Sequence, residues 1–173
     1  MVSRTFSKWI QWKELLDKKN QSKHFKDNLA RPGVYVLAKF SGSVPKGNAS
    51  PLCKEIIYVG ETCHNTLKGR LGQFDKTAFY GKKQHSGGSS YRDEYKKKIK
   101  KKIIWDKGEH LYVAIHSVKS PSLKKVKKDF FRDSFIRYLE REIIYKIAKK
   151  NKDNKKQAPK LNKKIMEVFH GRI

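Results

Sequence analysis

The segments Gly33-Val34-Tyr35-Val36-Leu37-Ala38-Lys39-Phe40 and Glu55-Ile56-Ile57-Tyr58-Val59-Gly60 decide the fold, with Leu67-Lys68-Gly69-Arg70-Leu71 just behind them. Both of the first two are rich in β-branched and aromatic residues. Between them, Ser41 to Pro51 holds three Ser, two Gly and two Pro, so the whole predicts two paired strands around a turn-rich loop longer than an ordinary hairpin connection. Tyr35 is out of phase with Val34 and Val36, so it faces the opposite side of the sheet. Gly60 lets the chain leave the second strand, or lets another backbone come close. Thr66 to Phe74 spaces Leu67 and Leu71 on one helical face and leaves Lys68 and Arg70 free to approach the sheet edge. Two phenols and a guanidinium thus converge within one small unit.

Composition sets the outer bounds. The 173 residues fit a single domain, and 37% apolar with 12% aromatic residues suffices to bury a core. The formal net charge is +26, from 42 Lys and Arg against 16 Asp and Glu. That excess exceeds what solubility needs and points to a polyanion, nucleic acid first; the plain alternative is a solvated lysine-rich surface. No segment approaches the roughly twenty apolar residues of a membrane span. Met1 to Trp9 lacks the apolar run of a signal peptide, and the expectation is a cytoplasmic chain without membrane contact. Cys53 and Cys63 read as free thiols in that compartment, and with His64 they are too few for a structural zinc site.

From the N-terminus, Phe6, Trp9, Ile10, Lys13 and Leu16 fall near helical spacing, with Trp12 and Leu15 beside them, which predicts an amphipathic helix over about 5–18. Its tryptophans either cover the core or stack on bases. Asn20 to Asn28 reads as a polar link to the first strand. Asp75 to Tyr91 reads as a loop whose His85-Ser86-Gly87-Gly88 is conformationally permissive, either holding His85 against a ligand or moving freely at the surface. Lys96, Lys97, Lys98, Lys100, Lys101 and Lys102 form the densest basic run, suited on a helix to neutralising phosphates without reading bases. Leu111 to Val118 gives a third strand.

Phe130 to Lys150 is the longest helix. Phe131, Phe135, Tyr138, Leu139, Ile143, Ile144 and Ile147 recur at spacings of three and four and mark its buried face. Glu140 and Glu142 both border that stripe, and periodicity does not choose between them, since either can pair with Lys146 instead. The C-terminal segment, about 151–173, opens as a charged linker, and Ile165, Val168 and Phe169 predict a short final helix that docks.

Taken in order, Gly33-Val34-Tyr35, Tyr58-Val59-Gly60, the helical Arg70, Leu139-Glu140-Arg141-Glu142-Ile143-Ile144 and Pro159-Lys160-Leu161-Asn162 resemble the signature of the GIY-YIG nuclease superfamily. The resemblance runs from Pro32 to Asn162; the residues before it, and those between Phe74 and the third strand, match nothing in it. It implies an α+β fold with a small antiparallel three-stranded sheet flanked by helices. It implies phosphodiester hydrolysis with one Mg²⁺ per active site, Mn²⁺ being able to substitute. It selects Glu140, directly after the leucine, as the metal ligand. It gives Tyr35 the attacking water, Tyr58 the support of Tyr35 and Arg70 the scissile phosphate, with Gly60 and Asn162 in supporting positions. Two departures stand out. Glu61 and Thr62 follow the Tyr-Val-Gly where many members carry a lysine, which leaves Lys68 as the substitute cation. Phe74 stands where relatives place a Tyr or His, and His85 or Tyr80 can fill that place.

These residue types suit the chemistry. Phosphodiester hydrolysis needs a deprotonated water, a Lewis acid for the phosphoryl oxygens and a cation or acid near the leaving oxygen. One carboxylate with waters in the remaining positions is an ordinary way to hold Mg²⁺. A tyrosine, with a pKa of about 10, is a poor base until positive charge lowers it, and Lys68, Arg70 and the metal are the charges at hand. The expected function is a metal-dependent endonuclease on double-stranded DNA. In a short stand-alone chain that suggests a sequence-specific restriction enzyme, working as a homodimer because a two-fold axis matches duplex symmetry. A repair or mobile-element nuclease of the same superfamily and a non-catalytic nucleic-acid-binding protein are the alternatives.

Overall fold

The alternation at Val34, Tyr35 and Val36 builds a sheet with two different faces. The computed structural model describes residues 5–16, 22–99, 108–119, 129–152 and 159–162. Its strands are β1 (Ile10–Gln11), β2 (Gly33–Lys39), β3 (Ile56–Thr62) and β4 (Leu111–Ser117). Its helices are α1 (Trp12–Leu16), α2 (Lys23–Leu29), α3 (Leu67–Ala78), α4 (Ser86–Ile99) and α5 (Phe130–Lys152). The sheet is antiparallel throughout, in the order β1-β4-β2-β3. The chain is α+β, but the sheet has four strands where three are expected: β1 adds to β4, with Ile10 opposite Val113 and Gln11 opposite Tyr112.

That strand also corrects the helix expected over about 5–18, of whose described residues only Trp12–Leu16 is helical. Phe6 and Trp9 bury in the core on one face of the sheet, Trp12 and Leu15 in the core on the other. The segment wraps the sheet edge, and a spacing of three residues serves that path as well as it serves a helix. Ser7 fixes it there, its N–H donating to Ile115 O at 2.8 Å and its Oγ accepting from Ile115 N at 3.0 Å.

Face one carries Val34, Val36, Val59 and Ala114 against Ile136, Leu139, Ile143, Ile144 and Ile147 of α5. Face two carries Tyr35, Leu37, Tyr58, Val113 and Ile115 against Leu67, Leu71 and Phe74 of α3, with Phe25 and Leu29 of α2 and Tyr91 of α4. Each large apolar side chain so buried stabilises the fold by roughly 1.5–3 kcal/mol. The buried face of α5 differs from the one read in the sequence, since Phe131 is 87% and Tyr138 53% exposed, while Ile136 takes a core position. Apolar residues occupy two arcs of this helix, and only the isoleucine-rich arc meets the sheet.

Two stretches read as irregular are helical. Of Asn20 to Asn28, Lys23 to Asn28 belong to α2, capped by Ser22, whose side chain accepts from Phe25 N at 3.3 Å. Asp75 to Tyr91 contains the end of α3 and the start of α4. In the loop between β2 and β3, Ala49 is buried and its N–H donates to Ser7 O at 2.9 Å. Both cysteines are free. Lys96, Lys97 and Lys98 fall on α4, whereas Lys100, Lys101, Lys102 and the final helix expected around Ile165 to Phe169 lie outside the described residues. Among the described residues no helix is long and apolar enough to cross a membrane.

Candidate active site

A change of register brings the two phenols to one face. Leu37 pairs with Tyr58 and Ala38 with Ile56, so Ile57 is the extra residue of a β-bulge. Ile57 and Tyr58 therefore both turn to the face of Tyr35 and Leu37, while Ile56 and Val59 turn to the other. Gly60 lies directly opposite Tyr35. A Cβ on Gly60 would lie 2.5 Å from Tyr35 Cζ and Oη and 2.7 Å from Tyr58 Cε1. Without it, the two rings sit with centroids 6.0 Å apart. Gly87 does the same from above, where a Cβ would be 2.5 Å from Tyr58 Cε2 and Cζ. Gly88 lets α4 press on α3, since a Cβ there would be 2.9 Å from Thr77 Cβ.

His85 closes the cluster and fixes its proton directions. Gly88 N–H donates to His85 Nδ1 at 3.1 Å, which makes Nδ1 an acceptor and puts the ring proton on Nε2. Nε2–H then donates to Tyr35 Oη at 2.6 Å. The neighbouring hydroxyls of Tyr35 and Tyr58 act on each other in opposite directions, raising Tyr35 and lowering Tyr58. The Ser86 side chain likewise favours the ionised form of Tyr58. Burial, then the positive charge of Arg70, pushes His85 down to about 3, so the imidazole is neutral near neutral pH. Burial is also the largest influence on both phenols: Tyr35 is held well above its ordinary value and Tyr58 above it, Arg70 pulling both down. Tyr80 is exposed, so of the two residues expected to stand in for Phe74, His85 is the one at the phenols.

Arg70 comes from the first turn of α3, whose N-cap Thr66 accepts from Gly69 N at 3.0 Å. Its Nη1 donates to Gln73 Oε1 at 3.2 Å, while its buried Nε has no partner. An unpaired guanidinium N–H beside two phenols is an anion-accepting group. Lys68 is exposed at the start of α3, and Arg70 is the cation that acts on both tyrosines. Glu142 pairs with Lys146 at 2.7 Å, so the surface role falls to Glu142. Glu140 is turned toward the site: its carboxyl is pushed up to about 7 by burial and by the charge of Glu61, against the pull of Arg141 and Arg70. Among the described residues no three His, Cys, Asp or Glu side chains gather as a metal-binding group. Glu140 with Glu61 in reach of its charge is nevertheless a hard-oxygen donor set of the kind Mg²⁺ takes with waters completing its shell.

Asn162 braces the outer edge of β3. Its Oδ1 accepts from Val59 N at 2.9 Å and its Nδ2 donates to Val59 O at 2.8 Å, and Leu161 N donates to Ile57 O at 2.9 Å. One amide side chain thus stands in for a strand at the residue between Tyr58 and Gly60. Sequence reasoning placed Tyr35, Tyr58, Arg70, Glu140 and Asn162, and the fold brings the first four within electrostatic reach of one another. It missed Glu61 as a neighbour of Glu140 and Gly87 as the position that leaves room for the Tyr58 ring; the paired glycines after His85 were the available signal. Comparison with family models, curated proteins and solved structures finds no match to this chain.

Proposed function

We propose that this chain is a divalent-cation-dependent endonuclease of the GIY-YIG kind, acting on double-stranded DNA as a restriction-type enzyme and working as a homodimer. The observation that carries the reading is the convergence of Tyr35, Tyr58, Glu140 and an Arg70 whose buried Nε is unpaired. A merely basic binding protein, for which the net charge of +26 would suffice, has no use for two buried phenols and a buried carboxylate around an arginine.

Arg70 binds the scissile phosphate and stabilises the charge that builds on it in the transition state. Tyr35 is 0% and Tyr58 7% exposed, so we assign the attacking water to Tyr58, the less buried of the two phenols. This exchanges the roles that the resemblance gives the two tyrosines. Gly88 and His85 hold the Tyr35 hydroxyl in place, and Tyr35, Ser86 and Arg70 all favour the ionised form of Tyr58, the phenolate that must form before Tyr58 can take a proton from the water. Glu140, with Glu61 beside it, is the place for the metal. A divalent cation held there supplies charge for the phosphoryl oxygens and cancels the carboxylate charge that opposes ionisation of Tyr58. Asn162, by holding Val59, keeps Tyr58 and Gly60 in register.

The test is incubation of the protein and of Glu140→Gln with a long duplex DNA, with Mg²⁺ or with chelator. Discrete fragments that vanish with chelator and with the substitution support the reading. DNA that is retarded but never cut, identically for both proteins, replaces it with a binding protein.

A further inference from the structure

Beside the candidate active site, at the start of α5, lies a cavity of about 180 Å³ lined by His64, Phe130, Asp133, Ser134 and Arg137. None of these five residues has a part in the chemistry above. We infer that this cavity takes a single nucleobase, unstacked from the strand whose phosphate lies at Arg70. The inference rests on the nuclease reading and adds a substrate feature to it: a base drawn out of the helix a few nucleotides from the cut.

The walls suit a heterocycle better than a phosphate. Asp133 presents a carboxylate whose Oδ1 is held by Arg132 Nε and Nη2 at 3.2 and 3.0 Å, while Oδ2 faces His64 Nδ1 at 3.4 Å. The carboxylate charge is already paired with Arg132, but Oδ2 lies outside the Arg132 fork and keeps acceptor capacity to which a base amino group would donate. Arg137 and Ser134 supply donors and a hydroxyl beside it, and Phe130, 71% exposed, supplies a flat apolar face. Acceptor, donors and ring together match a base edge and its π-face, and a carboxylate reads an amino-bearing base such as cytosine in preference to thymine.

The cavity is also fixed relative to the site. Arg132 Nη2 donates to Cys63 O at 3.3 Å and Cys63 Sγ lies 3.5 Å from Asp133 O, which pins this turn of α5 to the end of β3. Cys63 Sγ donates to Glu61 at 3.1 Å, and Glu61 is the neighbour of Glu140. Asp133 and Glu140 lie seven residues apart on α5, about 10 Å along its axis. That distance is a few nucleotides of a stacked strand at a rise of about 3.4 Å each. A strand with its phosphate at Arg70, in electrostatic reach of Glu140, therefore brings a base about three nucleotides away to the cavity. Extrusion costs least where a base is already unpaired, which sets the test.

Binding is measured with chelator present, so that DNA stays intact, to a paired duplex and to the same duplex with one unpaired cytosine or one unpaired thymine. The expected result is roughly ten-fold tighter binding to the cytosine bulge than to the paired duplex, with the thymine bulge between. Phe130→Ala and Arg137→Ala, both exposed positions whose folding is checked by melting, should each bring the cytosine-to-paired ratio toward one. Equal affinity for all three duplexes, or a preference that survives both substitutions, overturns the inference while leaving the nuclease reading in place. Absence of binding to any of the three overturns both.

Discussion

Replacing Glu140 by Gln should stabilise the metal-free protein at pH 8 and do so far less at pH 5. The carboxyl has an ordinary value of 4.5 and is pushed up to about 7 in the fold, by burial first and by Glu61 second. Because the folded value is the higher one, the contribution to stability is fully present below pH 4.5 and is lost as pH rises to 7. Between those limits the unfolded chain releases the proton and the folded chain keeps it; above them the fold carries an ionised Glu140 against Glu61. At about 1.36 kcal/mol per pH unit the loss over that window is ~3 kcal/mol. Gln has the shape of the neutral acid and does not titrate. Urea unfolding of both proteins at pH 5 and pH 8 gives the comparison, and the gain from the substitution should grow by ~2–3 kcal/mol between the two. Saturating Mg²⁺ at pH 8 should shrink the gain, since a cation binds the ionised wild-type carboxylate and thereby the folded state. A gain that is the same at both pH values would refute the placement of Glu140 in a desolvated site facing Glu61.

Gly60→Ala should lower stability by about 1–3 kcal/mol through overpacking of both phenol rings, read as a fall in melting midpoint of about 2–4 °C per kcal/mol; an unchanged midpoint would mean the rings are not held as described. Asn162→Ala leaves Val59 N–H and C=O without their partners at the edge of β3, and at about 1–3 kcal/mol for each stranded group urea unfolding should show a loss of ~2–5 kcal/mol, whereas a loss below 1 kcal/mol would refute the bracing role.

The strands were legible because they follow from alternation and spacing, whereas the candidate site residues were picked out by resemblance. Val34, Tyr35 and Val36 separate by face whatever surrounds them, and Leu67, Leu71 and Phe74 share the buried side of α3. What stayed hidden depends on partners distant in the chain. Phe6, Trp9, Trp12 and Leu15 keep helical spacing while dividing between two cores, because the chain turns around the edge of β4. The bulge at Ile57 that aims Tyr58 has no signature in the segment Ile56-Ile57-Tyr58-Val59, whose residues are all good strand formers. Gly87 and Gly88 were read for flexibility, yet their contribution is the space they leave for Tyr58 and Thr77 inside a helix. In α5, Phe131 and Tyr138 share the spacing of the buried isoleucines closely enough that only the packed sheet distinguishes the two arcs. Glu140 and Glu142 were separable only by resemblance, until Lys146 paired with Glu142.

The most direct test of the central claim is the rate of strand scission of an end-labelled duplex with protein in excess and Mg²⁺ present, for the wild type and for Arg70→Ala. If Arg70, with its unpaired buried Nε, receives the scissile phosphate, the wild type cuts and the substitution slows cutting by about 10²–10³-fold, the loss typical of removing one transition-state donor. Scission that proceeds at the same rate without Arg70, or DNA that is bound and never cut by the wild type, would contradict the account.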